Sequence, residues 1–181
     1  FGAKVYGVDN KKNKLNKKNF IFIEENICDQ EQIKKILIKI VKKEKKIDII
    51  INNAATAIFG KFVDRTDEEV DKVFKTNVSS IINIIKNYTI LFDQKKLKRG
   101  KIINIGSIYG FLSPDFNIYS KGDRLSSEIY GASKSSIIQL TKYFAVLLAK
   151  KNINVNCISP GGILNKKLQS KKFIKNYIKR V

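Results

Sequence analysis

The chain has 181 residues, of which 43% are hydrophobic, so one domain with a real core is expected rather than a disordered chain. Its formal charge is +20, from 36 Lys and Arg against 16 Asp and Glu. It contains no His, which excludes Ser–His and Cys–His nucleophile chemistry, so any proton transfer falls to Tyr, Lys, Asp or Glu. The Lys excess is spread along the whole chain beside abundant Ile and Asn, which reads as compositional bias rather than a nucleic-acid patch. Lys also far outnumbers Arg, whereas base readout favours bidentate Arg, so no specific nucleic-acid partner is expected. The charge should favour small anionic ligands. No apolar run approaches the length of a bilayer span, so no membrane partner is expected. Cys28 and Cys157 lack metal-ligand spacing and are expected to be reduced packing residues of a cytoplasmic protein, with no metal site. The chain opens on Phe1 and has no Met, so it is expected to be a piece of a longer protein.

In chain order, Ala3 to Val8 reads as a strand ending at Asp9. A Lys- and Asn-rich turn follows over Asn10 to Asn19, then a second strand over Phe20 to Ile23. Ile33, Ile36, Leu37, Ile40 and Val41 fall at helical spacing and predict a helix over Gln30 to Lys46. Ile47 to Asn53 is a continuous apolar run ending in two Asn, the mark of a buried parallel strand. Asp67 to about Phe92 predicts one long helix, with Thr66 as N-cap and Glu69 completing a capping box. Lys101 to Ile105 is the next strand, followed by a polar loop from about Ser113 to Ser127. A helix over Glu128 to Lys150, a strand over Ile153 to Ile158 and a helical end from Gln169 complete the pattern. Strands alternating with helices predict a single α/β domain over residues 1–181, with a parallel sheet covered on both faces. In such sheets ligands bind at the carboxyl ends of the strands, where Asp9, Asp29, Asn53, Ser107 and Gly161 fall.

The segment Tyr130-Gly131-Ala132-Ser133-Lys134 puts a phenol and an ammonium four residues apart, on one face of the predicted helix. An isolated phenol has a pKa near ~10, too high for proton transfer at neutral pH, and a nearby cation favours its charged form. Such a pair alone also fits a plain surface helix. With Asn52-Asn53-Ala54-Ala55, Asn77, Ser107 and Asn156-Cys157-Ile158-Ser159-Pro160-Gly161-Gly162-Ile163 in the same order, the chain resembles the short-chain dehydrogenase/reductase family along nearly its whole length.

The resemblance implies a Rossmann-like, doubly wound parallel sheet and hydride transfer between a nicotinamide and a carbonyl or hydroxyl carbon. It implies Tyr130 as general acid or base, Lys134 tuning that phenol and binding the nicotinamide ribose, and Ser107 polarising the substrate oxygen. Asn77 would hold a relay water, and Asn53, Ala54 and Ala55 would line the adenosine ribose, with Ala55 in place of the family's Gly. Pro160, Gly161 and Ile163 would clasp the nicotinamide end. Asp9 would accept from the ribose hydroxyls, which favours NAD over NADP, although Lys11 and Lys12 could pair with a phosphate. Asp29 would contact the adenine, or cap the following helix, or both. Asn77 also reads as a buried, backbone-satisfied residue, and Ser107 as the cap of the turn after it.

Two departures stand out. The family's first strand with its Gly-rich turn, and its last strand, have no counterpart between Phe1 and Val181. The spacing from Ser107 to Tyr130 is also long for the single-domain branch. A similar loop occurs in family members tied to bacterial flagellin and surface-glycan sugar synthesis. The substrate is expected to be a small molecule, with a sugar derivative as one option, and the intact protein a homo-oligomer through its long helices. Two other readings stay open: a sugar-nucleotide epimerase or dehydratase on the same fold, and an inactive fragment serving as a basic binding protein.

Overall fold

A computed structural model of the chain describes residues 2–12, 15, 17–165 and 167–180. Residues 13, 14 and 16 of the turn expected over Asn10 to Asn19 lie outside the described residues, as do Phe1 and Val181. The apolar, β-branched runs form strands, and every pairing is parallel. β1 (Val5–Asp9) pairs with β2 (Phe20–Glu24) in one sheet. β3 (Ile49–Asn52), β4 (Gly100–Ile105) and β5 (Ile153–Ile158) form a second sheet in that order.

The helices between them carry their own start and stop signals. α1 (Gln30–Glu44) begins where the Asp29 carboxylate accepts the Gln32 N–H at 3.0 Å, and it ends at Lys45, which adopts φ 67°. Its buried residues Ile33, Leu37 and Val41 recur one turn apart. The capping box of Thr66 and Glu69 opens α2 (Asp67–Phe74). The single helix expected from Asp67 to about Phe92 is in fact three segments. α2 runs into a π-turn over Lys75–Ser79, and α3 (Ser80–Gln94) continues from it. The wider turn carries Asn77, whose side chain is fully buried. α4 (Glu128–Leu148) ends slightly earlier than expected, in a 3-10 turn over Ala149–Lys151. α5 (Lys171–Ile178) is the helical end expected from Gln169. No helix among the described residues is long and apolar enough to cross a membrane.

The core has two parts. One packs Ile81, Ile85, Tyr88 and Phe92 of α3 and Ile137 and Leu148 of α4 against Ile102, Ile153 and Val155 of the sheet. The other gathers α1 and Leu91 around Val8, Ile47 and Ile50, so one helix bridges both sheets. Residues alternate along each strand, so the opposite face of the larger sheet shows Ile49 at 50%, Ile51 at 60% and Ile158 at 53% exposure. Cover was expected on both faces; among the described residues the helices cover one.

Tyr88 anchors the first core. It is fully buried, and its hydroxyl donates to the Ile47 carbonyl at 3.0 Å. Gly100 leaves room for it, because a Cβ there would collide with that hydroxyl. Burial pushes the Tyr88 phenol up to about 12, with Asp48 adding to the shift. The unfolded phenol ionises near ~10, so the neutral form stabilises the fold fully below that pH. That contribution is lost as pH rises through the folded value, and at ~1.4 kcal/mol per unit it is worth about 2–3 kcal/mol. Tyr88→Phe should therefore be less stable than the unmodified protein at neutral pH by ~1 kcal/mol for the lost hydrogen bond. The gap should shrink or reverse between pH 10 and about 12. Urea unfolding of both proteins across that range measures it.

Candidate active site

The carboxyl ends of β4 and β5 open into one cleft of about 290 Å³. β4 ends at Ile105, and Ser107 stands two residues on, buried, with its Oγ accepting the Tyr109 N–H at 3.2 Å. The turn Ile108–Gly110 presses against α4, because a Cβ on Gly110 would meet the Lys134 backbone at 2.9 Å. Ser127 caps α4 by accepting the Tyr130 N–H at 3.3 Å, which places Tyr130 in the first turn of the helix. Ser107, Tyr130 and Gly161 all line the cleft.

Lys134 sits one turn beyond Tyr130, with its Nζ 5.7 Å from the centre of the Tyr130 ring. Lys134 is 3% exposed, and its Nζ donates to the Ile105 carbonyl at 2.7 Å. Burial pushes the Lys134 ammonium below its ordinary pKa, and Cys157 opposes that shift. An ammonium has three donors, so two remain after the Ile105 bond.

Asn77 lies behind this pair. Its Oδ1 accepts the Thr56 N–H at 2.8 Å, and its Nδ2 donates to the Thr56 carbonyl at 2.9 Å and to Ser133 Oγ at 3.0 Å. Ser133 Oγ donates in turn to the Tyr130 carbonyl at 2.8 Å. The π-turn is thus tied to the loop after β3 and to the first turn of α4.

Aromatic rings close the far side. Tyr119 and Phe173 lie 5.2 Å apart between centroids, and Phe173 and Tyr177 lie 5.8 Å apart. The Tyr177 hydroxyl accepts the Gly162 N–H at 2.7 Å, which docks α5 on the segment after β5. Burial pushes the Tyr109 phenol well above its usual range, with the hydroxyl of Tyr119 beside it.

The model of the short chain dehydrogenase family matches residues 2–175. The chain belongs to the short-chain dehydrogenases. A 3-oxoacyl-acyl-carrier-protein reductase of Thermotoga maritima is 32% identical over 138 residues, covering 76% of this chain and 51% of the relative. Dehydrogenase/reductase SDR family member 4 of Mus musculus is 36% identical over 132 residues, covering 72% of this chain and 43% of that protein. The chain thus spans about half the length of the curated relatives it matches. Among solved structures, a short chain dehydrogenase from Leptospira borgpetersenii with bound NAD+ is 37% identical, with a TM-score of 0.89, over 98% of this chain and 68% of that one. ElxO with NADP bound is 32% identical, with a TM-score of 0.70, over 84% and 57%.

The remaining short-chain dehydrogenase positions fall in four places. Asp9 is exposed at the end of β1, with one carboxylate oxygen accepting the Lys11 N–H at 2.9 Å. Asp29 is the N-cap of α1. Neither lines the cleft. Asn53, Ala54 and Ala55 follow β3; Asn53 and Ala55 are exposed and Ala54 is partly buried, with no ring or long side chain among them. The Pro160 carbonyl accepts the Ile108 N–H at 3.0 Å, joining the segments that follow β4 and β5, while Ile163 is exposed and does not line the cleft. Several contributors had escaped the sequence reading: Thr56, Phe59, Arg124, Ser133, Phe173 and Tyr177. The i, i+4 spacing of Phe173 and Tyr177 was a readable sign of a shared face. Nothing local marked Arg124 or Thr56.

The bonds of Asn77 give a stability test. Asn77→Ala would strand the N–H and C=O of Thr56 beside a fully buried gap. A loss of about 2–3 kcal/mol in urea unfolding is expected. A loss below ~0.5 kcal/mol would show that the two backbone groups find other partners.

Proposed function

We propose that the protein carrying this chain is an NAD(P)-dependent oxidoreductase that interconverts a carbonyl and a hydroxyl group on a small molecule, with Tyr130 as general acid and base. One observation carries the reading: Ser107 and Tyr130 line a single cleft, with the Lys134 ammonium buried beneath the Tyr130 ring. The bound nicotinamide supplies or accepts the hydride at the reacting carbon. Ser107 hydrogen-bonds the substrate oxygen and polarises it, while the Tyr130 hydroxyl gives it a proton in reduction and takes one back in oxidation. Lys134 keeps its charge against the phenolate left behind, and its two remaining donors suit that oxygen and a ribose hydroxyl. Asn77 acts as a positioning residue that holds the turn of Tyr130 through Ser133; its side-chain donors are already engaged there.

The residues present fit a nicotinamide dinucleotide. Gly161 leaves open backbone at the cleft, Ala54 and Ala55 give a low wall after β3, and among the described residues one Asp9 carboxylate oxygen has no partner and could accept a ribose hydroxyl. A free acid there favours NAD over NADP by repelling a 2′-phosphate. Tyr143, Val146 and Leu147 of α4 and Ile82 and Ile90 of α3 are exposed, an apolar set that supports assembly with a second copy through these helices.

Tested in the protein expressed from its complete gene, Tyr130→Phe should lower kcat by about 10²–10⁴-fold and leave cofactor affinity nearly unchanged. Lys134→Ala should lower both. Reduced-nicotinamide absorbance and cofactor titration read the two effects, and undiminished turnover in Tyr130→Phe would falsify its role in proton transfer. Asp9→Ala should narrow the preference for NAD over NADP; equal kcat/KM for the two cofactors before substitution would contradict the role given to Asp9.

A further inference from the structure

The loop between Ser107 and Tyr130 brings two charged side chains to the cleft wall, Asp123 and Arg124. They are used differently. The Asp123 carboxylate is tied to its own loop through one oxygen, which accepts the Ser120 N–H at 2.6 Å. The Arg124 guanidinium has no carboxylate partner among the described residues. It lies 4.6 Å from the centre of the Phe59 ring, and Phe59 also lines the cleft. Arg65 pairs with Glu69 and Glu128, and Arg180 pairs with Asp115, while Arg99, which like Arg124 has no carboxylate partner among the described residues, does not line the cleft.

A cation resting on a ring is held in place without losing its charge. The guanidinium fork stays free for a planar anion, which it binds by two parallel hydrogen bonds. The rings of Tyr109, Tyr119 and Phe173 also line the cleft and give it apolar surface. A substrate for this cleft can therefore offer an oxygen to Ser107 and Tyr130, an apolar or flat part to the rings, and an anion to Arg124.

We propose that Arg124 is the specificity-determining residue of the cleft and selects a small carbonyl or carbinol compound bearing a carboxylate or phosphate. The inference rests on the oxidoreductase reading of the same cleft. Since the chain carries a formal charge of +20, general attraction of anions must be separated from recognition by this one side chain. Lys121 is the control. It is exposed in the same loop, does not line the cleft, and carries the same charge.

The experiment uses the protein from its complete gene, with nicotinamide cofactor at saturation. The probes are short oxo carboxylates of increasing length, each paired with its methyl ester, and dihydroxyacetone phosphate paired with dihydroxyacetone. Binding is read by calorimetry and turnover by reduced-nicotinamide absorbance. At least one charged probe should bind about 10- to 100-fold tighter than its neutral counterpart. Arg124→Gln should remove that preference, Arg124→Lys should keep part of it, and Lys121→Gln should keep it whole. The carboxylate and phosphate arms identify which anion is recognised. Equal binding of charged and neutral partners, or a preference that survives Arg124→Gln, overturns the proposal. The two readings fail separately. A charge preference in binding without any absorbance change removes the redox chemistry and leaves Arg124 as the anion site. Turnover that ignores charge removes the role of Arg124 and leaves the redox chemistry.

Discussion

A buried chain of side-chain hydrogen bonds sets the level at which everything at this site stands. Asn52 at the end of β3 donates to Asn104 of β4 at 2.8 Å, Asn104 donates to Thr141 of α4 at 2.9 Å, and Thr141 donates to the Ile137 carbonyl at 2.8 Å. All three side chains are buried, so each bond left unmade would cost the desolvation of its partner. Asn52 and Asn104 are also register partners across the sheet. An apolar contact would tolerate a slide of the helix along the sheet, whereas this chain of donors and acceptors does not. It fixes where α4 lies against β3 and β4, and so where the first turn of α4 meets the segment after β4. The Lys134 bond to the Ile105 carbonyl and the close pass of Gly110 complete that alignment.

The parts that the sequence makes legible are those written in periodicity and local chemistry. The run Ile49-Ile50-Ile51 marked a strand, although only Ile50 of the three turns toward the core, and the Thr66 and Glu69 pair marked a helix start to the residue. Ser107, Tyr130 and Lys134 reach one place because each sits at a strand end or on a helix face whose direction is set by such patterns. What could not be read depends on partners far apart in the chain. Asn104 looks like any polar residue in a strand until Thr141 is brought beneath it. The reading of Asn77 as buried and backbone-satisfied holds, but nothing in the sequence named Thr56 as the residue it bonds. The alternative readings of Ser107 as a turn cap and Asp29 as a helix cap hold in the geometry, and neither competes with a second role for the same side chain.

Electrostatics divides along the same line. Most of the Lys excess is exposed and solvated, where charge costs little and specifies little. Lys134 is the exception: it is nearly fully buried and held by one backbone carbonyl. Keeping an ammonium there costs desolvation energy, as the direction of its shift shows, and the fold carries that cost beside the Tyr130 ring.

The π-turn at Lys75–Ser79 has an effect on how the chain can change. One added residue in a helical turn rotates all that follows by about 100° about the axis. α2 and α3 thus belong to different helical wheels, and the stripe that buries Val73 is out of phase with the one that buries Ile81 and Ile85. Excising a single residue from the wide turn would restore an unbroken α-helical ladder and should be welcome to the helix taken alone. It would also swing either the core stripe of α3 or the amide of Asn77 out of place. The segment is therefore protected against deletion by geometry, although its backbone would be better bonded without the extra residue.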